Sequence, residues 1–192
     1  MDAPNDHVPA SDTRLTYAEL ALLPDDGKRH ELIGGVHLVT PSPGRRHQAV
    51  VWNLTVLIGS YLHAHPVGRA FAAPFDVVFS ELDVVEPDLL FVSSARQEVL
   101  TAQHVRGAPD LVVEVGSPTT RKRDETIKRR LYERFGVAEY WIIDPELDSI
   151  EVYRRAPVGY VLIEELLLSR GDSLATPLLA GLVLPLSRIF RD

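Results

Sequence analysis

Residues 108–144, APDLVVEVGSPTTRKRDETIKRRLYERFGVAEYWIID, constrain the fold of this chain more than any other stretch. Their pattern predicts strand, turn, helix and strand in succession. The first strand, over 110–115, is apolar except for Glu114, which sits in a Leu-Val-Val-Glu-Val run of the kind buried on both faces. An isolated ionised carboxylate in such a place is costly, so it needs a cation, a hydrogen-bonding cluster or a raised pKa. The helix is expected over 120–135, with Ser117 and Thr119 or Thr120 supplying N-cap oxygens and Gly136 a natural end. At about 100° per residue, Ile127, Leu131 and Phe135 mark its inward face. Asp124 falls in the same arc, and Lys128 and Arg121 lie on its edge beside Tyr132. Lys122, Arg123, Arg129, Arg130 and Glu133 face outward.

The rest of the chain supplies a frame for this unit. Residues 1–13 read as a disordered tail, polar and poor in apolar side chains. Residues 14–192 read as one domain, a size at which 45% hydrophobic residues suffice for a core. Thr16 can cap a short helix in YAELALL, which Pro24 ends. RHELIGGVHLVT predicts a hairpin about Gly34–Gly35, with Glu31 the odd residue of its first strand. After a loop at 41–46, Val50, Leu54, Leu57 and Ile58 recur at helical spacing over about 47–63. Strands are expected near 75–79 and over about 85–92, the latter with Asp88 inside it, followed by a polar connection over 93–107. SIEVYRR and YVLIEELLL predict a second hairpin around the APVG turn. The apolar tail ATPLLAGLVLPLSRIF is expected to pack back on the domain. Trp52 and Trp141 lie in periodic apolar segments and are expected in the core, with base-stacking platforms as the alternative.

Composition closes off several chemistries. The absence of cysteine excludes disulfides, thiolate catalysis and Cys-ligated zinc. The acidic start has neither the basic nor the apolar region of a signal peptide, and no apolar run approaches a membrane span, so a cytoplasmic location is expected without a membrane partner. A net charge of −7 weighs against a surface that binds nucleic acid all over, but not against a local basic groove.

Within this frame three groups point to chemistry. If the strands of Asp88 and Glu114 are neighbours, their carboxylates converge at one edge of the sheet. Two close carboxylates repel, and a divalent cation relieves the repulsion. Oxygen donors without cysteine favour Mg2+ or Mn2+ over zinc, and the Val115 carbonyl is a further candidate ligand. Lys128, two turns into the helix after Glu114, supplies an ammonium within reach. Structural alternatives stand beside each element: an Asp124–Lys128 helix pair, a strand-entry role for Asp88 after Pro87, and a Glu114–Lys128 salt bridge.

Pro87-Asp88, Glu114 on the next apolar strand, and Lys128 on the following helix resemble the PD-(D/E)XK nuclease superfamily. The text HELIGGVHLVTPSPGRRHQ, VEPDLLFV, the central stretch and IEVYRR resemble, more narrowly, the Uma-type restriction endonucleases of bacteria. The resemblance runs from about residue 17 to 160. It implies an α/β (α+β) fold with a restriction-endonuclease-like core: a mixed sheet flanked by helices, with hairpins added at both ends. It also implies a Mg2+-dependent endonuclease acting on DNA, with Asp88, Glu114 and Lys128 catalytic. Glu31 matches the family's acid in the first hairpin and is a further candidate metal ligand, with a plain hairpin Glu as the alternative. The short-motif lysine position is Gly116 here, so Lys128 would act from the helix instead. Arg45, Arg46, His47, Arg121 and Arg123 are candidate nucleic-acid contacts, with a solvated charged face and a plain helix-start histidine as the alternatives, and a homodimer is expected. A non-catalytic nucleic-acid-binding module and an oligomeric interaction protein are the rival readings.

Overall fold

The computed structural model describes residues 14–24, 26–40, 42–116 and 124–191, with Asp124 and Glu125 described by backbone alone. The expected tail over 1–13, the capping residues Ser117, Thr119 and Thr120, and the basic residues Arg121, Lys122 and Arg123 lie outside the described residues, as does the side chain of Asp124.

The first element is α1 (Tyr17–Leu20), where Thr16 and Glu19 cap each other's backbone groups reciprocally. The hairpin β1 (Arg29–Ile33) and β2 (Val36–Thr40) follows, with Gly34 and Gly35 both at positive φ as its two-residue turn requires. Next come the long helix α2 (Arg45–Ala64), β3 (Gly68–Ala72), β4 (Val77–Ser80), β5 (Asp83–Val85) and β6 (Leu89–Ser93). A 3-10 turn (Ser94–Val99) and β7 (Val105–Arg106) lead into β8 (Leu111–Val115). A π-helical turn, Asp124–Lys128, runs into α3 (Arg129–Phe135), which ends at Gly136 in the left-handed conformation, and β9 (Glu139–Asp144) follows. The hairpin β10 (Ser149–Ala156) and β11 (Gly159–Leu167) comes next, then the small pair β12 (Ser173–Ala175) and β13 (Val183–Pro185), and a last short helix, Leu186–Ile189.

Two mixed sheets carry the architecture. One has the order β11-β10-β9-β8-β6-β3, with β8 and β9 parallel and the other pairs antiparallel. The other has the order β2-β1-β5-β4-β7. Alternation sorts the larger sheet's side chains onto two faces. Leu89, Phe91, Leu111, Val113, Trp141 and Ile143 pack with Val50, Leu54 and Ile58 of α2 and with the C-terminal apolar residues. Leu90, Val112, Tyr140 and Ile142 pack instead with Leu131 and Tyr132 of α3 and with Val77, Val85 and Val105 of the smaller sheet. Glu114 shares the parity of Val112, so it faces α3 inside a fully buried strand.

Several expectations need correction. The strand expected over 85–92 is two strands in different sheets, so Asp88 sits at their junction and not inside one. Pro87 has no N–H to give a ladder, which suits it to this break. β3 was not expected at all, and the strand near 75–79 starts at Val77. Trp141 is fully buried as expected, but Trp52 is 68% exposed. Ile127, expected inward, is 48% exposed, while Lys128 is 3% exposed. The π-helical turn carries an extra residue per turn and so makes Lys128, Leu131, Tyr132 and Phe135 the inner arc of the helical segment.

Candidate active site

The crossover from β5 to β6 brings the two sheets together at Glu86-Pro87-Asp88, and this junction builds the site. β6 pairs with β8 through Leu89 and Val113, so Asp88 lies one step beyond, beside the Glu114–Val115 end of β8. The Val115 N–H donates to Asp88 Oδ2 at 2.8 Å. From the smaller sheet, β1 points Arg29 and Glu31 toward the same place. Glu31 Oε1 accepts the Glu86 N–H at 3.0 Å, and Arg29 Nη1 donates to Asp88 Oδ1 at 2.6 Å.

Lys128 completes the cluster from the helical side. Its Nζ lies 2.7 Å from Glu31 Oε1 and donates to Glu114 Oε1 at 2.9 Å. The Tyr132 hydroxyl, one turn on, donates to the same Glu114 oxygen at 2.5 Å. The expected trio of Asp88, Glu114 and Lys128 is therefore gathered in one buried place, with Glu31 added from the first hairpin. All four are at most 3% exposed. Glu114 obtains both a cation and a hydrogen-bonding cluster, as its burial demands.

Four residues of the cluster were not foreseen as its members. Arg29 binds Asp88, and its Nε lies 3.2 Å from Glu86 Oε1, close enough for charge attraction. His47, a candidate phosphate contact, is buried and places Nε2 3.2 Å from Asp88 Oδ2; its Nδ1 has no hydrogen-bond partner among the described residues. Glu86 and Tyr132 are the others. Such partners meet only through the topology, since Arg29 and Asp88 are 59 positions apart. The alternation of Arg29 and Glu31 along β1 is the one local sign that places both on a common face.

Electrostatics follow from this packing. Burial alone would raise the Asp88 carboxyl, but the His47 contact, the Arg29 charge and the Val115 N–H together hold it below its usual range. Burial, opposed by Arg29 and Lys128 and reinforced by Asp76 and Glu31, pushes Glu86 up to about 7. Burial and the neighbouring Glu114 keep the Tyr132 phenol well above its ordinary range, so it remains a donor. Burial disfavours the Arg29 charge, yet Asp88, Glu114 and Glu86 outweigh it and raise its pKa.

The carboxyls are not arranged around one point. Among the described residues no group of three His, Asp or Glu side chains stands as a metal-ligand set. Lys128 bridges Glu31 and Glu114, and Arg29 takes Asp88, so this chain's own cations occupy the directions in which the expected metal ligands point. The donors nevertheless suit a hard cation. Four carboxyls (Glu31, Glu86, Asp88, Glu114) face two fixed cations (Arg29, Lys128), an excess of two negative charges when all are ionised and His47 is neutral. Burial is the main cause of the upward shift of Glu86, and the neighbouring acids add to it. Beside it a cavity of about 310 Å³ opens, lined by Lys28, Arg29, Ser42, Gln48, Ala73 and Glu86.

The expected phosphate contacts are spread out. Arg45 is exposed at the start of α2. Arg46 is committed within the chain, its Nε donating to the Pro145 carbonyl at 2.6 Å and its Nη2 to Asp148 at 2.5 Å. Arg121 and Arg123 lie outside the described residues. Arg129, expected outward, donates to the Tyr153 hydroxyl and lies over that ring.

A family model described as "Uma2: Putative restriction endonuclease" matches residues 16–187, which include every element of the cluster. The chain belongs to the Uma2 family. Among solved structures, "a putative nuclease belonging to DUF820 from Anabaena variabilis ATCC 29413" aligns with a TM-score of 0.75 at 22% sequence identity, over 92% of this chain and 97% of that one. At that identity the likeness shows a shared fold, and it agrees with the restriction-endonuclease-like core expected from the sequence. No curated protein matches the chain. Among the described residues, no helix of this Uma2-family chain is long and apolar enough to cross a membrane.

Proposed function

We propose that this Uma2-family chain is a metal-dependent endonuclease that hydrolyses phosphodiester bonds in DNA. The observation that carries the reading is the meeting of Asp88, Glu114, Glu31 and Lys128, from four separate elements, in one buried cluster next to an open cavity. Asp88 and Glu114, with Glu31, would hold Mg2+ or Mn2+, whose hard-oxygen preference matches this donor set. When bound, such an ion supplies Lewis-acid polarisation of a phosphoryl oxygen and a more acidic water.

This chain's own residues do the rest. Arg29, His47 and the Val115 N–H keep the Asp88 carboxylate ionised and aimed. Tyr132 and Lys128 fix Glu114. The Lys128 ammonium is placed to orient a water or to offset the negative charge that grows on phosphorus-bound oxygens. Lys28 and Arg29, lining the cavity, favour an entering phosphate. The reaction is set in the cytoplasm.

A homodimer has one surface suited to it. β11 is an edge strand of the larger sheet, and its Val161, Leu162 and Ile163 are 43–46% exposed. Its free backbone edge and this short apolar stretch, bounded by exposed Glu164 and Glu165, can pair with a second copy. Light scattering that finds only monomer across concentrations would remove this element of the reading.

The test of function is cleavage of plasmid and single-stranded DNA with Mg2+ or Mn2+, against an EDTA control. Asp88→Asn, Glu114→Gln and Lys128→Met are each expected to lower the rate by about 10²-fold or more. Cleavage retained in all three, with the fold intact, would discard the site. Binding without turnover under any metal would favour a non-catalytic nucleic-acid module.

A further inference from the structure

A second surface is set apart by its charge. Residues 32–75 contain no Asp or Glu, although the chain has 27 of them and a net charge of −7. The same span holds Arg45, Arg46 and Arg69. Most of it is α2 and β3, which form one flank of the larger sheet. Trp52 lies about 200° from Leu54 at 100° per residue, so its indole stands opposite the core-facing side of α2. It is 68% exposed, and Val56, one turn on, is 45% exposed.

Trp52 borders a run of hollows, and does not stand on a flat face. An open hollow of about 530 Å³ is lined by Trp52, Val56, Gly59 and His63. It shares Thr55, Gly59 and His63 with a second hollow of about 370 Å³, which reaches Arg69 on β3 and ends at Ala72 and Leu89. Leu89 follows Asp88, and the cavity beside the carboxyl cluster begins at Ala73. The two joined hollows thus run along α2 from the exposed indole to Ala72 and Leu89, whose chain neighbours Ala73 and Asp88 belong to the proposed active site.

We propose that this flank of α2 binds a single strand of nucleic acid, with an unpaired base stacked on Trp52 and the backbone led past Arg69 toward Asp88. An exposed aromatic face beside a cationic, acid-free groove is the chemistry that holds single strands without regard to sequence. A second copy of the chain is the competing occupant, but an apolar self-contact gives no reason for acids to be missing over 44 consecutive residues. The inference rests on the nuclease reading only for the direction of the path, since binding needs no catalysis.

Gly59 makes the test clean, because a Cβ added there meets nothing within 4 Å. Larger side chains can fill the groove without disturbing the fold, and replacing a mid-helix glycine favours the helix. Binding of fluorescently labelled oligothymidylate and oligouridylate is measured by anisotropy in EDTA, where no cleavage occurs. Trp52→Ala and Gly59→Glu are expected to weaken binding about five-fold or more, and Gly59→Lys to weaken it less than Gly59→Glu. Oligonucleotide should also quench the exposed indole in the wild type, whereas the residual emission of Trp52→Ala, from buried Trp141, should not respond. Unchanged affinity in both Trp52→Ala and Gly59→Glu overturns the proposal, as does equal affinity of wild type for a duplex of the same length. Conversion of a dimer to monomer by Trp52→Ala, with binding intact, assigns the flank to a second copy and likewise overturns it. If Trp52→Ala fails to fold, the Gly59 pair decides. A wild type that binds through Trp52 but never cleaves would end the nuclease reading alone; one that cleaves while both variants bind normally would end this inference alone.

Discussion

Lys128→Met isolates the ion cluster, because methionine keeps much of the apolar stem and removes only the ammonium. That ammonium is 3% exposed and lies 2.7 Å from Glu31 and 2.9 Å from Glu114. Its loss removes the cation that two buried carboxylates share, leaving Glu114 the Tyr132 hydroxyl and Glu31 the Glu86 N–H, with Arg29 already engaged by Asp88. Removing one partner of a buried pair costs about 3–5 kcal/mol. For a chain of this size each kcal/mol lowers Tm by about 2–4 °C, so the variant should melt roughly 6–20 °C below wild type. Urea unfolding in EDTA, followed by the emission of buried Trp141, measures the loss directly. Lys128→Arg should lose less, because it keeps the charge. Adding Glu114→Gln to Lys128→Met should recover part of the loss, because one buried negative charge without its cation is gone. Mg2+ stabilises only if it binds the folded chain, and it should stabilise Lys128→Met more than wild type, since no ammonium competes for the two acids. A loss below about 1 kcal/mol with an unaltered response to Mg2+ would refute the buried ion cluster, since that is the range of solvent-screened pairs.

Further outcomes follow from other contacts. Glu86 holds its proton to about pH 7 in the folded chain, against an ordinary value of 4.5, so stability should fall as pH rises through that window. The full shift corresponds to about 3 kcal/mol, which partial exposure reduces to about 1–2; Glu86→Gln should be more stable than wild type by that amount at pH 8 in EDTA and flatten the pH dependence, and equal stability there would count against a desolvated Glu86 carboxyl. Asp88 has the opposite sign: its depressed pKa contributes stability above about pH 4 that is lost as pH falls below, a loss that Asp88→Asn should abolish in acid unfolding. Trp141 Nε1 donates to buried Glu139 at 2.8 Å, so Trp141→Phe should cost about 1–3 kcal/mol in urea unfolding; a smaller cost would mean the carboxylate finds another donor.

The residues that sequence reasoning located best are those whose local text conflicts with burial. Glu114 is an acid in a run that β-strand geometry buries on both faces, and a cation near it is the simplest remedy. Gly34–Gly35, the Thr16 cap and Gly136 carry turn and cap chemistry in one or two residues, and each does what its type requires. The misplaced elements fail for physical reasons. Pro87 divides an apolar run that reads as continuous, and only the pairing of its halves in different sheets reveals the break. β3 is short and alanine-rich, without the β-branched residues that mark strands. The π-helical turn shifts the inner arc by one residue, which a fixed 100° step misses, turning Ile127 out and Lys128 in. Trp52 differs, since the wheel of α2 already places it opposite Leu54. Arg29, Glu86 and the His47–Asp88 contact depend on partners 41 to 59 positions away, or on a neighbouring sheet, and no local pattern encodes them.

The most direct measurement is the anomalous density of a crystal of the full chain soaked with Mn2+. A peak within about 2.0–2.6 Å of oxygens from both Asp88 and Glu114, with Lys128 displaced from at least one of its two acids, is the expected result. Mn2+ bound elsewhere, or no peak while Lys128 still bridges Glu31 and Glu114, would contradict a metal-dependent site at this junction.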